Sequence, residues 1–158
     1  MSKVTVLRIG HRPGRDLRIS THAALVSRAF GADGIIFSDY EAKKTQESLE
    51  KVNDNWGGSF TVEGGESWRN VIEDWRSNGG IAVHLTMYGL PINDEMSKMK
   101  GKDILVIIGA EKVPGEVYDI VDYNIAVGNQ PHSEISALAV FLDRLYEGEE
   151  LEKEFSGA

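Results

Sequence analysis

The fold class predicted for this chain is α/β, a mostly parallel sheet with helices on both faces. Three observations predict it. Short apolar runs alternate with segments of helical periodicity along the whole chain. One run, Ile104 to Ile108, is apolar without a break, as a central strand covered on both faces should be. Two runs, Ile104 to Ile108 and Tyr123 to Val127, lead into glycine loops followed by helices. Read as neighbouring strands, they describe a ligand site at the carboxyl edge of a parallel sheet.

The elements follow in order. Val4 to Ile9 is a strand, and residues 10–19 form a loop rich in Gly, Pro and Arg. Thr21 to Phe30 is a helix with Ser20 or Thr21 as N-cap and Gly31 at its end. Gly34 to Phe37 is a strand, and Glu41 to Trp56 a polar helix stopped by Gly57-Gly58. Phe60 to Val62 is a short strand. Ser67 to Arg76 is a helix with Trp68, Val71, Ile72 and Trp75 at helical spacing. Ile81 to Thr86 is a strand followed by a loop, Met87 to Pro91, and a short helix from Asn93 to Met99. After the central run, Val117 to Val121 makes a turn or two of helix and Tyr123 to Val127 the last strand. Ser133 to Tyr146 is a long helix with Ile135, Leu138, Ala139, Phe141, Leu142 and Leu145 on one stripe.

At 158 residues the chain is read as a single domain, 1–158, with an acidic tail over about 148–158 that frays or waits for a partner. Hydrophobic residues at 41% and charged residues at 27% are ordinary for a globular protein. No apolar run approaches the ~20 residues that cross a bilayer, and no signal pattern precedes the first strand, so a cytoplasmic protein is expected. Without cysteine there is no disulfide or thiolate chemistry, and four scattered histidines predict no metal site. The net charge of −8 argues weakly against nucleic acid, but its distribution does not. Lys3, Arg8, Arg12, Arg15, Arg18 and Arg28 face a single acid, Asp16, within the first 28 residues. Such a local basic patch is compatible with binding phosphates.

Four segments carry the candidate chemistry. Gly109-Ala110-Glu111-Lys112-Val113-Pro114-Gly115 offers backbone groups at fixed positions for an adenine or ribose edge, and also reads as an ordinary βα turn. Gly128-Asn129-Gln130-Pro131-His132-Ser133-Glu134 gathers two amides, a hydroxyl and a helix start, more polar groups than a cap needs. Leu85 to Leu90 leaves a third strand; core packing of Leu85 and Met87 is its simpler reading. The loop His11 to Arg18 reads either as an anion site or as a solvated arginine loop. His22 and His84 read as packed or hydrogen-bonded, and Trp56, Trp68 and Trp75 as core. Neither a P-loop nor a Gly-x-Gly-x-x-Gly after the first strand is present.

HRPGRDLRISTH, RAFGADGI, HLTMYGL, ILVIIGAEKVPGEVYD and YNIAVGNQPHSEISALAVFLDRL together resemble the archaeal tRNA cytidine-56 2′-O-methyltransferases of the SPOUT class. The resemblance runs from Val4 to about Phe155. It implies a C-terminal trefoil knot, which general topology rules would not predict. It also implies a homodimer with its active site at the subunit interface, S-adenosylmethionine as cofactor and tRNA as substrate. The implied cofactor residues are Leu85, Gly109, Ala110, Glu111, Lys112, Val113, Val127, Gly128, Asn129, Gln130, Pro131, His132, Ser133 and Glu134. One departure matters. The Asn and catalytic Arg of the broader class, aligned on Ala29-Phe30-Gly31, fall on Ile19 and Leu25.

The catalytic arginine is therefore expected at Arg18 or Arg15, with Arg12, Arg15 and Arg18 gripping RNA phosphates. A guanidinium is a poor base, so Arg18 is read as a charge stabiliser orienting the 2′-hydroxyl, with Ser133 or a substrate phosphate assisting proton removal. The expected function is methylation of the ribose 2′-OH of cytidine 56 in tRNA. The alternatives are a SPOUT enzyme acting on another RNA, such as ribosomal RNA, and a non-enzymatic α/β nucleotide-binding protein.

Overall fold

The computed structural model describes residues 2–10, 17–109 and 113–157. The strands are β1 (Val4–Ile9), β2 (Gly34–Phe37), β3 (Thr61–Gly64), β4 (Ile81–Pro91), β5 (Ile104–Gly109) and β6 (Tyr123–Ala126). The helices are α1 (Leu17–Ala29), α2 (Lys43–Trp56), α3 (Trp68–Ser77), α4 (Ile92–Met99), α5 (Glu116–Ile120) and α6 (Glu134–Tyr146). A 3-10 turn at Glu149–Glu152 follows. The six strands form one sheet in the order β3-β2-β1-β5-β4-β6, and every pairing is parallel.

Alternation along the strands sorts the core into two layers. Val4, Val6, Ile35, Val83, Ile104, Val106, Ile108 and Ile125 pack with residues of α1, α2, α4 and α6. Leu7, Ile9, Ala82, Leu105 and Ile107 pack with Val71 and Ile72 of α3 and Val117 of α5. Helix α6 buries Leu138, Phe141, Leu142 and Leu145, each contributing roughly 1.5–3 kcal/mol. Ser133 caps it, accepting from the Ser136 amide, and Ser67 caps α3 in the same way through Asn70.

The structure corrects several expectations. Strands β5 and β6 are not neighbours, because β4 lies between them. Helix α1 begins at Leu17, so Ser20 is no cap but a buried residue of its first turn. The segment 87–91 belongs to β4, which bulges between Leu85 and Leu90 and resumes against Ile125 and Ala126. Gly89 permits this: a Cβ there would lie 2.5 Å from the Asn124 backbone. Trp56 is 72% exposed rather than core, and His22 is exposed. The tail is docked: Ser156 accepts from the Gly58 amide at 2.7 Å, and Phe155 stacks against Arg28 with 4.4 Å to the ring centre. Arg28 is held there by Asn53 and the Gly57 carbonyl.

Candidate active site

The bulge of β4 and the carboxyl ends of β5 and β6 border a cavity of about 420 Å³. Of the residues predicted for a cofactor, Leu85, Gly109, Val113, Val127, Gly128, Gln130, Pro131, His132, Ser133 and Glu134 line it. The prediction at Ala110, Glu111 and Lys112 lies outside the described residues, as do Arg12 and Arg15. Asn129 is not in the wall. Its amide donates to the Met87 carbonyl at 2.6 Å and so ties the β6 loop to β4. Arg18 is exposed in the first turn of α1 and is not in the wall either.

The polar groups of 128–134 are largely spent on shaping that loop. His132 donates from Nε2 to the Val127 carbonyl at 2.7 Å, and Ser133 Oγ is engaged with Ser136. Gly128 holds φ at +75°, a conformation that favours glycine, with open space where a Cβ would stand.

The sequence reading missed two sets of residues. The first is a polar cluster on the wall under α5. Asn124 donates from Nδ2 to the Tyr118 carbonyl at 2.9 Å, which turns its Oδ1 toward His84. His84 therefore carries its proton on Nδ1 and donates it to Oδ1 at 2.9 Å. Burial lowers the His84 pKa from its ordinary 6.5, the Asn124 hydrogen bond opposing, so the ring is neutral. Tyr118 meets this ring edge-on at 4.8 Å and shares a 3.0 Å hydrogen bond with Thr86. Helix α5 is in turn clamped to α3 by Arg69 on Glu116 and by Arg76, which donates to the Ile120 carbonyl at 3.0 Å and forms a two-pronged pair with Asp122 just beyond the helix. Nothing in the sequence pairs these residues, since His84 lies 40 residues from Asn124 and Thr86 lies 32 from Tyr118.

The second is Arg8, on β1 and 1% exposed. Its Nε lies 2.5 Å from Glu134 at the start of α6, and its Nη1 donates to Ser20 Oγ at 3.0 Å. Strand alternation could have found it, because Arg8 shares the inward face of Val4 and Val6. A separate groove of about 570 Å³ lies near the amino ends of β1, β4 and β5, around Trp75 and the acids Glu63, Glu66, Asp74 and Asp103. It contains none of the glycine-loop residues.

The family model for tRNA ribose 2′-O-methyltransferase, aTrm56, matches residues 56–158. The chain is 55% identical to the tRNA (cytidine(56)-2′-O)-methyltransferase of Thermococcus kodakarensis, over 98% of this chain and 88% of that protein. The chain belongs to this family. The enzyme of the same name from Pyrococcus horikoshii is 54% identical, over 98% of this chain and 77% of its own. Two solved structures extend the likeness in fold beyond the aTrm56 family. The SpoU methyltransferase AviRb of Streptomyces viridochromogenes, in complex with the cofactor AdoMet, has a TM-score of 0.67 at 17% identity, over 94% of this chain and 58% of that one. The TrmH/SpoU tRNA modifying enzyme of A. aeolicus has 0.69 at 14%, over 96% and 78%. The chain thus shares its α/β fold with these SpoU-type enzymes.

Proposed function

We propose that this chain transfers a methyl group from S-adenosylmethionine to the ribose 2′-oxygen of cytidine 56 in tRNA. The observation that carries the reading is the joining of the β4 bulge at Leu85 with the strand exits at Gly109 and Val127–Glu134 around one cavity. They do so in a chain more than half identical to enzymes of that name.

The residues present fit the cofactor. A cavity of about 420 Å³ is within the usual range for a small ligand. Leu85, Val113, Val127 and Ala137 give it apolar walls for a base, and the glycines give close access to backbone. Leu85, the loop Gly109 to Val113 and the loop Val127 to Glu134 would hold the molecule, Asn129 from behind. When bound, the cofactor supplies an electrophilic methyl carbon on a sulfonium.

The protein's own work is positioning and charge. The exposed Arg18 would orient the 2′-hydroxyl and its phosphate, with Arg12 and Arg15 gripping neighbouring phosphates. Ser133 or a substrate phosphate would assist loss of the hydroxyl proton. The same reading includes one SPOUT domain, a C-terminal trefoil knot and a homodimer with shared active sites. It also places the protein in the cytoplasm; among the described residues no helix is long and apolar enough to cross a membrane.

The test is methyl transfer from radiolabelled S-adenosylmethionine to a tRNA transcript and to one carrying 2′-deoxycytidine at position 56. Label in the first alone is expected. Label in both would keep the methyltransferase and move its target. No label in either, with the cofactor bound, would point to another RNA or to a non-enzymatic protein. Arg18→Ala should abolish turnover with cofactor binding nearly intact; loss of both would make Arg18 structural.

A further inference from the structure

Arg8 joins the two halves of the site from below. Its strand ends one residue later, at Ile9, and the arginine segment 11–18 follows. On the sheet Arg8 stands between Phe37 and Ile108, both buried and apolar. A guanidinium in such a row is costly unless paired and hydrogen-bonded. Two of its partners are the first residue of α6, Glu134, and a first-turn residue of α1, Ser20. Helix α6 carries the loop 127–134 that lines the cavity, and α1 carries Arg18. The planar fork of one arginine thus fixes the element under the cofactor loop against the element under the substrate arginine.

We propose that Arg8 is a positioning residue that couples the cofactor site to the RNA site, an inference that rests on the methyltransferase reading above. Ordering of the 127–134 loop by the cofactor fixes Glu134, Glu134 fixes Arg8, and Arg8 holds the start of α1 where Arg18 meets the RNA. Cofactor then tightens RNA binding, and by linkage RNA tightens cofactor binding by the same factor. Glu134 acts in this scheme through Arg8, its charge neutralised, rather than as a counter-charge for the bound sulfonium.

Full-length protein is titrated with S-adenosylhomocysteine alone, with tRNA transcript alone, and with each in the presence of the other. In the parent protein each ligand should tighten the other by about fivefold or more. Arg8→Lys keeps the charge and loses the fork. It should bind each ligand singly within about threefold of the parent, lose the mutual tightening and drop in kcat by roughly tenfold to a hundredfold with little change in KM. Should Arg8→Lys fail to fold, the double variant Arg8→Met with Glu134→Leu replaces the pair by apolar residues. It should fold and show the same loss of coupling and of kcat. Retained coupling and kcat in either folded variant, or no mutual tightening in the parent, would overturn the proposal. Failure of the parent to bind S-adenosylhomocysteine at all would overturn the methyltransferase reading instead, and the first titration reads that separately.

Discussion

Arg8–Glu134 on one face of the sheet and Arg76–Asp122 on the other are both arginine–carboxylate pairs that tie distant segments, 126 and 46 residues apart. The side chains of the first are 1% and 18% exposed; those of the second are 46% and 24%. The exposed pair is better formed by geometry, with two parallel hydrogen bonds at 3.1 and 3.0 Å. Burial nevertheless decides what each pair can do. Arg8 sits where water cannot replace Glu134, so its partner is obligatory and its position is transmitted. Arg76 loses little if Asp122 is removed, because water takes over. The lesson is that a tie can carry information between two sites only where solvent cannot substitute for it.

Arg8→Met removes the buried guanidinium that Glu134 and Ser20 share and should cost about 3–5 kcal/mol in denaturant unfolding, with the added Glu134→Leu recovering much of it. A loss below ~1 kcal/mol would erase the distinction between the two pairs. On the same side of the cavity, Ser133→Ala removes the α6 cap and should cost about 1 kcal/mol. If Ser133 serves only as cap, Ser133→Asp should restore both stability and turnover; stability without turnover would assign the hydroxyl to proton removal. On the opposite face, Arg76→Ala should cost only ~0.2–1 kcal/mol, and the difference from the parent should shrink further in added salt.

The smallest effect at neutral pH belongs to His84. Its folded pKa lies below the ordinary 6.5 because burial disfavours the charged ring. As pH falls below about 6.5 the unfolded chain takes up a proton that the folded chain refuses, so stability is lost until the folded pKa is reached. His84→Gln should flatten the fall in stability between neutral and mildly acid pH and change little above it. An unchanged acid limb would mean that other groups dominate.

Much of the fold was legible locally. Strand β5 follows from an unbroken apolar run and β1 and β2 from largely apolar ones, helix ends from Gly57 and Gly79-Gly80, and helix starts from Ser67 and Ser133. These signals are short-range, acting within one or two turns of the residue that emits them. Where a short-range signal competed with a distant partner, the reading failed. Ser20 looks like a cap until Arg8 claims its hydroxyl. Met87 to Pro91 looks like a loop until β6 supplies hydrogen-bonding partners, and the acidic tail looks frayed until Arg28 and the Gly58 amide receive it. Trp56 reads as core by composition, yet it ends a helix at the surface.

The candidate site divides in the same way. The glycine loops after β5 and β6, the helix starts beside them, the arginine-rich segment and the family to which the chain belongs are all written in the sequence, because glycine conformation, capping and residue order are encoded where they act. Tertiary structure alone decided that β4 passes between the two glycine-loop strands, that His84, Asn124 and Tyr118 meet at the cavity wall, and that Arg8 reaches both α1 and α6. Those relations depend on parallel pairing between strands far apart in the chain, and no local pattern specifies which distant carboxylate a buried guanidinium will find.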